Sequence, residues 1–492
     1  MTKLSEESLS HLPPDVARPG YDRSQLRTGI VHFGVGGFHR AHQAMYLDTL
    51  MNQGKALDWA ICGVGVLPQD AAMKSVLDGQ DCLYTLMLKY PDGRREARVI
   101  GSIAEYLYAP EDPEAVIEKM ALPGTRIVSL TITEGGYSIS DTTGEFDAAT
   151  PGVAADLAPG AVPSGVFGLV TEALRRRRDR GLGAFTVMSC DNIPGNGEVA
   201  RKAFGEFARL KDPELGEWVL ANVAFPSSMV DRITPVTTDE DRALLAREFG
   251  VEDGWPVVSE DFAQWALEDT FGLGRPPWED AGVSVTADVE PFERMKLRLL
   301  NCGHQGLAYL GYLAGYRYAH EAVGDPELAR FLLDYMDHEA TPTLLPVPGV
   351  DLPAYKQRLL ERFGNEYVRD TLARLCAESS DRIPKWLVPV VRENLAHDGE
   401  VSRSAAIIAA WARYAEGTDE TGEPIDVVDR RREDVMAAAS RNREDPLAFV
   451  SQPQFFADIA GDPRFTGPYL ATLDTLHRDG ARAAVTRLVE GG

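Results

Sequence analysis

Three features of the sequence predict an α/β chain of two domains, the second mostly helical. Four short apolar runs in the first half end in glycine-rich or polar turns, as buried parallel strands do. The first of these runs leads straight into a cluster of glycines, and beyond residue 287 the pattern changes to long helical segments. At 492 residues the chain also exceeds one ordinary core, so two domains are expected, residues 1–287 and 288–492.

Composition narrows the function. Hydrophobic residues make up 44% and charged ones 25%, as in a soluble globular protein. Fifty basic against 75 acidic residues leave a formal charge of −25, which repels nucleic acid and anionic membrane. The stretch Met1–Arg27 is polar and broken by Pro13, Pro14 and Pro19, unlike a secretory signal. The five cysteines (62, 82, 190, 302 and 376) form no Cys-x-x-Cys pair, so neither a disulfide framework nor a thiolate zinc site is expected, and a reducing cytoplasm is.

The first run, Ile30–Phe33, enters Gly34-Val-Gly36-Gly37, and a helix carrying Phe38, Met45 and Leu50 follows. Strand, Gly-x-Gly and helix open a dinucleotide-binding turn, in which the glycines let the backbone approach a pyrophosphate. The fingerprint's third glycine would fall at His39, so the match is partial, and a tight turn without a ligand stays open as the alternative. A second strand fits Trp59–Gly65, and the first acid after it that could meet a ribose is Asp70, equally readable as a helix N-terminal aspartate. Runs 126–133 and 184–189 complete the strands. The second puts Asn192 at a strand's carboxyl end, where α/β sheets bind ligands, although Asn-Ile-Pro-Gly also reads as a turn. Asp231-Arg232 is either a site element or a surface ion pair.

The helical half is expected to contain helices at 296–318, 328–340, 355–376, 403–416 and 433–442, with a proline-marked break at 377–389 that carries Arg382 and Lys385. The apolar stretch 299–318 is interrupted by Asn301, His304, Gln305 and Arg317, which makes it a buried helix and not a membrane span. Lys296, Asn301 and His304 share one side of their helix: at roughly 100° per residue Asn301 lies about 140° around from Lys296, and His304 about 80°. A lysine whose pKa burial lowers can exchange protons, an amide can donate to an oxyanion, and an imidazole can hold a hydroxyl. That set suits the interconversion of an alcohol and a carbonyl. A helix edge that merely carries polar residues is the plainer alternative.

Other redox classes lack their residues. There is no Tyr-x-x-x-Lys pair, no Walker A sequence and no Gly-x-Ser-x-Gly elbow. His39-x-x-His42 has no third ligand and reads as structural, so no metal is expected.

Taken together, His32-Phe-Gly-Val-Gly-Gly-Phe-His-Arg-Ala-His42, Ser129–Tyr137, Thr186–Asn192, Phe225–Pro235 and Lys296–His304 resemble the polyol-specific long-chain dehydrogenase/reductase family. The resemblance spans most of the chain. It implies an N-terminal Rossmann-type domain, a helical C-terminal domain, and NAD-dependent, metal-free interconversion of a sugar alcohol such as D-mannitol and its 2-ketose, such as D-fructose. It also implies Lys296 as general acid/base, Asn192 and Asn301 as an oxyanion hole, and Glu293 on a proton path to Lys296. Asp231, His304, Arg374 and Arg382 would hold polyol hydroxyls. Gly34, Gly36, Gly37 and Phe38 would line the pyrophosphate turn, with Asp70 against the adenine-side ribose. The sequence departs from the family pattern in two places: Arg382 stands where a lysine is found, and Pro68-Gln69-Asp70 keeps one acid where relatives can carry two. A uronate reductase of the same family, using Arg374, Arg382 and Lys385 on a carboxylate, is the nearer rival, and a non-catalytic dinucleotide sensor the remoter one. The expected partner is a small neutral substrate, with a monomer favoured.

Overall fold

The computed structural model describes residues 2–140 and 144–490, which divide into two compact units, one ending at Glu290 and the other beginning at Pro291. Five strands form the central sheet of the first unit: β1 (Thr28–Phe33), β2 (Ala60–Gly65), β3 (Ile103–Tyr108), β4 (Ile127–Leu130) and β5 (Thr186–Ser189). All pairings are parallel, in the order β3-β2-β1-β4-β5. This is the doubly wound arrangement in which the chain reverses direction across the sheet beside β1. Both faces are covered, so the strands are apolar throughout: Ile30 enters the core on one face while Val31 and Phe33 enter the core on the other.

On one face lie α1 (Gly37–Ala41) and α2 (Gln43–Asn52); α3 (Asp70–Asp78) follows β2. On the opposite face pack α4 (Pro113–Ala121), α5 (Val166–Asp179) and α6 (Asn196–Lys211). The sequence suggested one continuous helix after the glycines. The chain instead breaks at His42 (φ −121°, ψ −95°), whose ring is drawn to the Gln264 carbonyl (3.0 Å) and packs on Trp265. Three further sheets among the described residues extend the unit: Val257–Glu260, Tyr84–Lys89, Arg95–Ile100 and Val16–Ala17 in one, Ser228–Asp231, Gln264–Glu268 and Ser284–Thr286 in a second, and the short pair Thr2–Lys3 and Val251–Glu252 in a third.

The second unit is helical and is built around α7 (Cys302–Leu313), almost every residue of which is buried. Among the described residues no helix is long and apolar enough to cross a membrane. Two of the expected helices contain wider turns: Lys296–Asn301 and Met336–Ala340 follow an i→i+5 pattern, the latter after α8 (Pro326–Tyr335). The expected helix 355–376 is two, Leu352–Phe363 and Leu372–Cys376.

The break expected at 377–389 is absent. α9 (Ser379–Ala396) runs straight through Pro384 and Pro389. Each interior proline costs about 3 kcal/mol. Burial of Ile383, Trp386, Leu387, Val388, Val390 and Val391, at about 1.5–3 kcal/mol per side chain, outweighs both. Packing therefore overrides the local signal. Nearby, α10 (Ser402–Tyr414) is buried along its length and capped by the buried Glu339 carboxylate, which accepts from the Arg403 and Ser404 amides.

Candidate functional site

In the first unit, a cavity of about 800 Å³ opens at the carboxyl ends of the central strands. Gly34, Gly36, Gly37, Asp70, Thr131 and Thr133 are among its lining residues, and Arg40 contributes a buried guanidinium. Gly34 has φ +92°, and a Cβ there would fall 2.1 Å from the Thr131 carbonyl oxygen, so only glycine suits the turn. The Thr131 hydroxyl donates to the Gly34 carbonyl (2.6 Å) and lies 3.0 Å from His32 Nε2. His32 Nδ1 lies 2.7 Å from Ser129 Oγ, and the ring stacks on His39 with centroids 3.4 Å apart. Burial pushes the His32 pKa down to about 3, so the stack is neutral and apolar in character.

After β2 the chain turns back on itself. Asp70 Oδ2 accepts from the Val66 and Leu67 amides, both at 2.9 Å, which returns the carboxylate to the strand tip. Phe38 lies outside the residues that line the cavity, and its ring stacks on His42.

The loop after β4 is held from β5. Asp191 accepts from the Thr133 amide (2.8 Å), the Ile132 amide (3.2 Å) and the Tyr137 hydroxyl (2.7 Å). Thr133 needs this support, because its φ of +67° and ψ of 166° fall in a region that a β-branched residue rarely occupies. Asn192, half-buried, follows directly. Asn196 clasps the same corner by donating to the Asp191 and Ser228 carbonyls. Asp231 ends the strand Ser228–Asp231 and is buried. Arg232 is buried as well: it donates to the Ala41 and Glu260 carbonyls, and burial lowers its pKa to about 10. The surface ion pair considered for Asp231-Arg232 is therefore excluded.

In the second unit Lys296, Asn301 and His304 are each less than a tenth exposed. The turn Lys296–Asn301 is π-helical, with the Cys302 amide reaching back to the Leu297 carbonyl. The wider turn brings residues five apart nearer to one side, so Lys296 and Asn301 are closer to alignment than the 140° of a regular α-helix. Asn301 Oδ1 is buried without a hydrogen-bond partner among the described residues. The His304 ring packs on Phe363, centroids 4.1 Å apart. Arg298 anchors the turn from below: its guanidinium makes two bonds to Glu393 (2.7 and 2.6 Å) and one to the Thr343 carbonyl (2.8 Å). Glu393 is thereby held below the usual carboxylate range. Tyr335 donates to the Arg298 carbonyl at 3.1 Å. Glu293 is half-buried in Glu290–Met295, the helix leading into the turn.

Two models of known domains match the chain: the mannitol dehydrogenase Rossmann domain over residues 28–280 and the mannitol dehydrogenase C-terminal domain over residues 288–477. Mannitol 2-dehydrogenases of Phaeosphaeria nodorum and Aspergillus fumigatus are 45% and 44% identical, over 99% of this chain and 85% and 99% of theirs. The chain belongs to the mannitol dehydrogenase family. A solved structure of Pseudomonas fluorescens mannitol 2-dehydrogenase, a ternary complex with NAD and D-mannitol, is 45% identical over the full length of both chains with a TM-score of 0.92. A D-sorbitol dehydrogenase in substrate-free form is 40% identical, covering 98% of this chain and all of its own, with a TM-score of 0.90.

Within this family fold the candidate residues fall into groups. Gly34, Gly36, Gly37 and Asp70 share one cavity. Lys296, Asn301 and His304 share one continuous helical segment. Arg374 and Arg382 are brought together: Arg382 donates to the Arg374 and Leu375 carbonyls, while Arg374 forms two bonds with Asp370 (2.7 and 2.5 Å). Sequence reasoning passed over Arg40, Thr133, Asp191 and Tyr335. Arg40 lies inside the stretch His32–His42 and Asp191 inside Thr186–Asn192, beside residues with a plainer chemical signature. Tyr335 sits 37 residues beyond the carbonyl it meets, and no local pattern marks it.

Proposed function

We propose that this chain interconverts D-mannitol and its 2-ketose D-fructose with NAD, and that Lys296 is the acid/base. Its relatives, 42–45% identical, are named mannitol 2-dehydrogenases or mannitol dehydrogenases, and it is an NAD-dependent dehydrogenase of that type. The finer reading is carried by one observation: a buried lysine and a buried amide, Lys296 and Asn301, brought toward each other on one π-turn.

The first-unit cavity fits NAD. Its volume suits a large ligand, its glycines leave the backbone open to a pyrophosphate, and Arg40 offers a cation. We assign Gly34, Gly36, Gly37 and Phe38 to the pyrophosphate turn and Asp70 to the adenine-side ribose. When bound, the nicotinamide supplies the hydride acceptor. In oxidation neutral Lys296 takes the hydroxyl proton as hydride leaves the same carbon. Asn192 and Asn301 donate to the developing alkoxide, where fixed dipoles act most strongly. Asp231, His304, Arg374 and Arg382 hold the remaining hydroxyls, and Glu293 passes the proton onward. Reduction reverses these steps with Lys296 protonated.

A carboxylated substrate is disfavoured by the state of the bases that would hold it. The charge of Arg374 is already matched by Asp370, through Nε and Nη2, which leaves Nη1 for a neutral hydroxyl, and Lys385 pairs with Asp381. The test is an NADH-dependent assay of fructose, other ketoses and keto-uronates, with mannitol, sorbitol and arabinitol in the reverse direction. Preference for fructose and mannitol, at an affinity insensitive to salt, is expected. A keto-uronate reduced far more efficiently than any ketose would overturn the assignment.

A further inference from the structure

The π-turn at Lys296–Asn301 leaves a backbone group to account for. In a regular α-helix the Cys302 amide would serve the Arg298 carbonyl, four residues back. Here it reaches the Leu297 and Leu299 carbonyls instead. The Arg298 carbonyl thus loses its usual donor, in a segment where Arg298 itself is buried. Burying an unserved carbonyl is costly, and a wide turn of this kind persists only where its surroundings supply a substitute.

The substitute is a side chain from another helix. Tyr335, fully buried at the end of α8, donates its hydroxyl to the Arg298 carbonyl at 3.1 Å. The Cys302 side chain is the hydroxyl's other neighbour. The second wide turn, Met336–Ala340, begins immediately after Tyr335. The action of Tyr335 runs through the backbone, at the Arg298 carbonyl.

We propose that Tyr335 is a positioning residue for the reaction: its hydroxyl replaces the missing amide at the Arg298 carbonyl, stabilises the π-turn, and so keeps Lys296 in line with Asn301. Without that hydroxyl the segment gains by returning the Cys302 amide to Arg298. The return to an α-helical register swings Asn301 away from the line of Lys296. The inference rests on the reading of Lys296 as the acid/base, but the state of the turn can be examined apart from it.

The test uses the full-length enzyme and three variants. In Tyr335→Phe the crystal structure is expected to have the Cys302 amide on the Arg298 carbonyl. Its kcat for mannitol should fall by about tenfold to a hundredfold, the scale of a misplacement near 1 Å. NADH affinity should stay unchanged, because the cofactor cavity lies in the first unit, and the pH–rate profile should be displaced. Adding Cys302→Ser to Tyr335→Phe supplies a hydroxyl four residues on from Arg298, where serine can bond the i−4 carbonyl. That double variant should regain most of the lost turnover, and it tests the same bond if the single variant does not fold. Retention of the i→i+5 bond in Tyr335→Phe overturns the proposal, whatever Lys296 does. So does a return to α-helix with unchanged kcat and pH profile, provided Lys296→Ala is inactive. An active Lys296→Ala would instead overturn the acid/base reading, leaving the structure of Tyr335→Phe to decide what holds the turn.

Discussion

Replacing Gly34 by alanine should damage the fold, whereas the same change two residues later should damage cofactor binding alone. At Gly34 the φ of +92° costs an alanine about 1–2 kcal/mol. Its Cβ would also fall 2.1 Å from the Thr131 oxygen, a backbone atom of the neighbouring strand's end that cannot rotate aside. The tips of β1 and β4 must then part, straining the bond from the Thr131 amide to the Phe33 carbonyl (2.9 Å), worth about 0.5–1.5 kcal/mol. The sum is about 1.5–3.5 kcal/mol. Gly36 is different: its φ is −86°, and a Cβ there would meet only the Gly34 oxygen, at 3.9 Å. Gly36→Ala should therefore stay within about 0.5 kcal/mol of the parent. Gly36 lines the cavity, so an added methyl should weaken NADH binding by about tenfold or more, equivalent to about 1.4 kcal/mol. Urea unfolding and an NADH fluorescence titration on both variants separate the two effects. A Gly34→Ala protein as stable as the parent, or a Gly36→Ala protein that binds NADH normally, would refute this account of the turn.

Three further outcomes are expected. Asp191→Asn removes charge-assisted bonds to the Thr133 amide and the Tyr137 hydroxyl and should destabilise by about 1.5–3 kcal/mol in urea unfolding, with a fall in turnover as the Thr133 loop relaxes; unchanged stability would mean that the loop holds itself. Glu393 titrates below its ordinary value in the fold because of Arg298, so its contribution is present above that ordinary value and is lost as pH falls through the lowered one. Glu393→Gln should accordingly flatten the loss of melting temperature as pH falls below the ordinary glutamate value, and an identical acid-side slope in both proteins would remove the pair from the account. Asp70→Ala should narrow the preference for NAD over NADP, mainly through tighter NADP binding, and an unaltered ratio of catalytic efficiencies would take Asp70 out of the cofactor site.

The parallel sheet was legible because its strands are buried on both faces and end in conspicuous turns. The strands Arg95–Ile100 and Gln264–Glu268 have only partly buried patterns, and Gln264–Glu268 pairs with Ser228–Asp231, more than thirty residues back in sequence. In the helical half, propensity misled where packing decided. Pro384 and Pro389 read as a break, yet they lie inside α9 because six apolar side chains around them are buried. The grouping of Lys296, Asn301 and His304 could be read from spacing, but the wide turn that aligns the first two could not. It depends on Tyr335 and Glu393, which meet Arg298 from distant parts of the chain.

The central claim is that Lys296 moves the proton. It is tested most directly by pairing NADH binding with a pH–rate profile of mannitol oxidation for the parent enzyme and Lys296→Ala. The parent should speed up with rising pH through one main ionisation, as the neutral amine becomes available, while fructose reduction slows through a related one. Lys296→Ala should bind NADH normally, lose turnover by about 10²–10⁴ and lose that ionisation from its profile. A variant that binds NADH and keeps both the rate and the pH dependence would contradict the account.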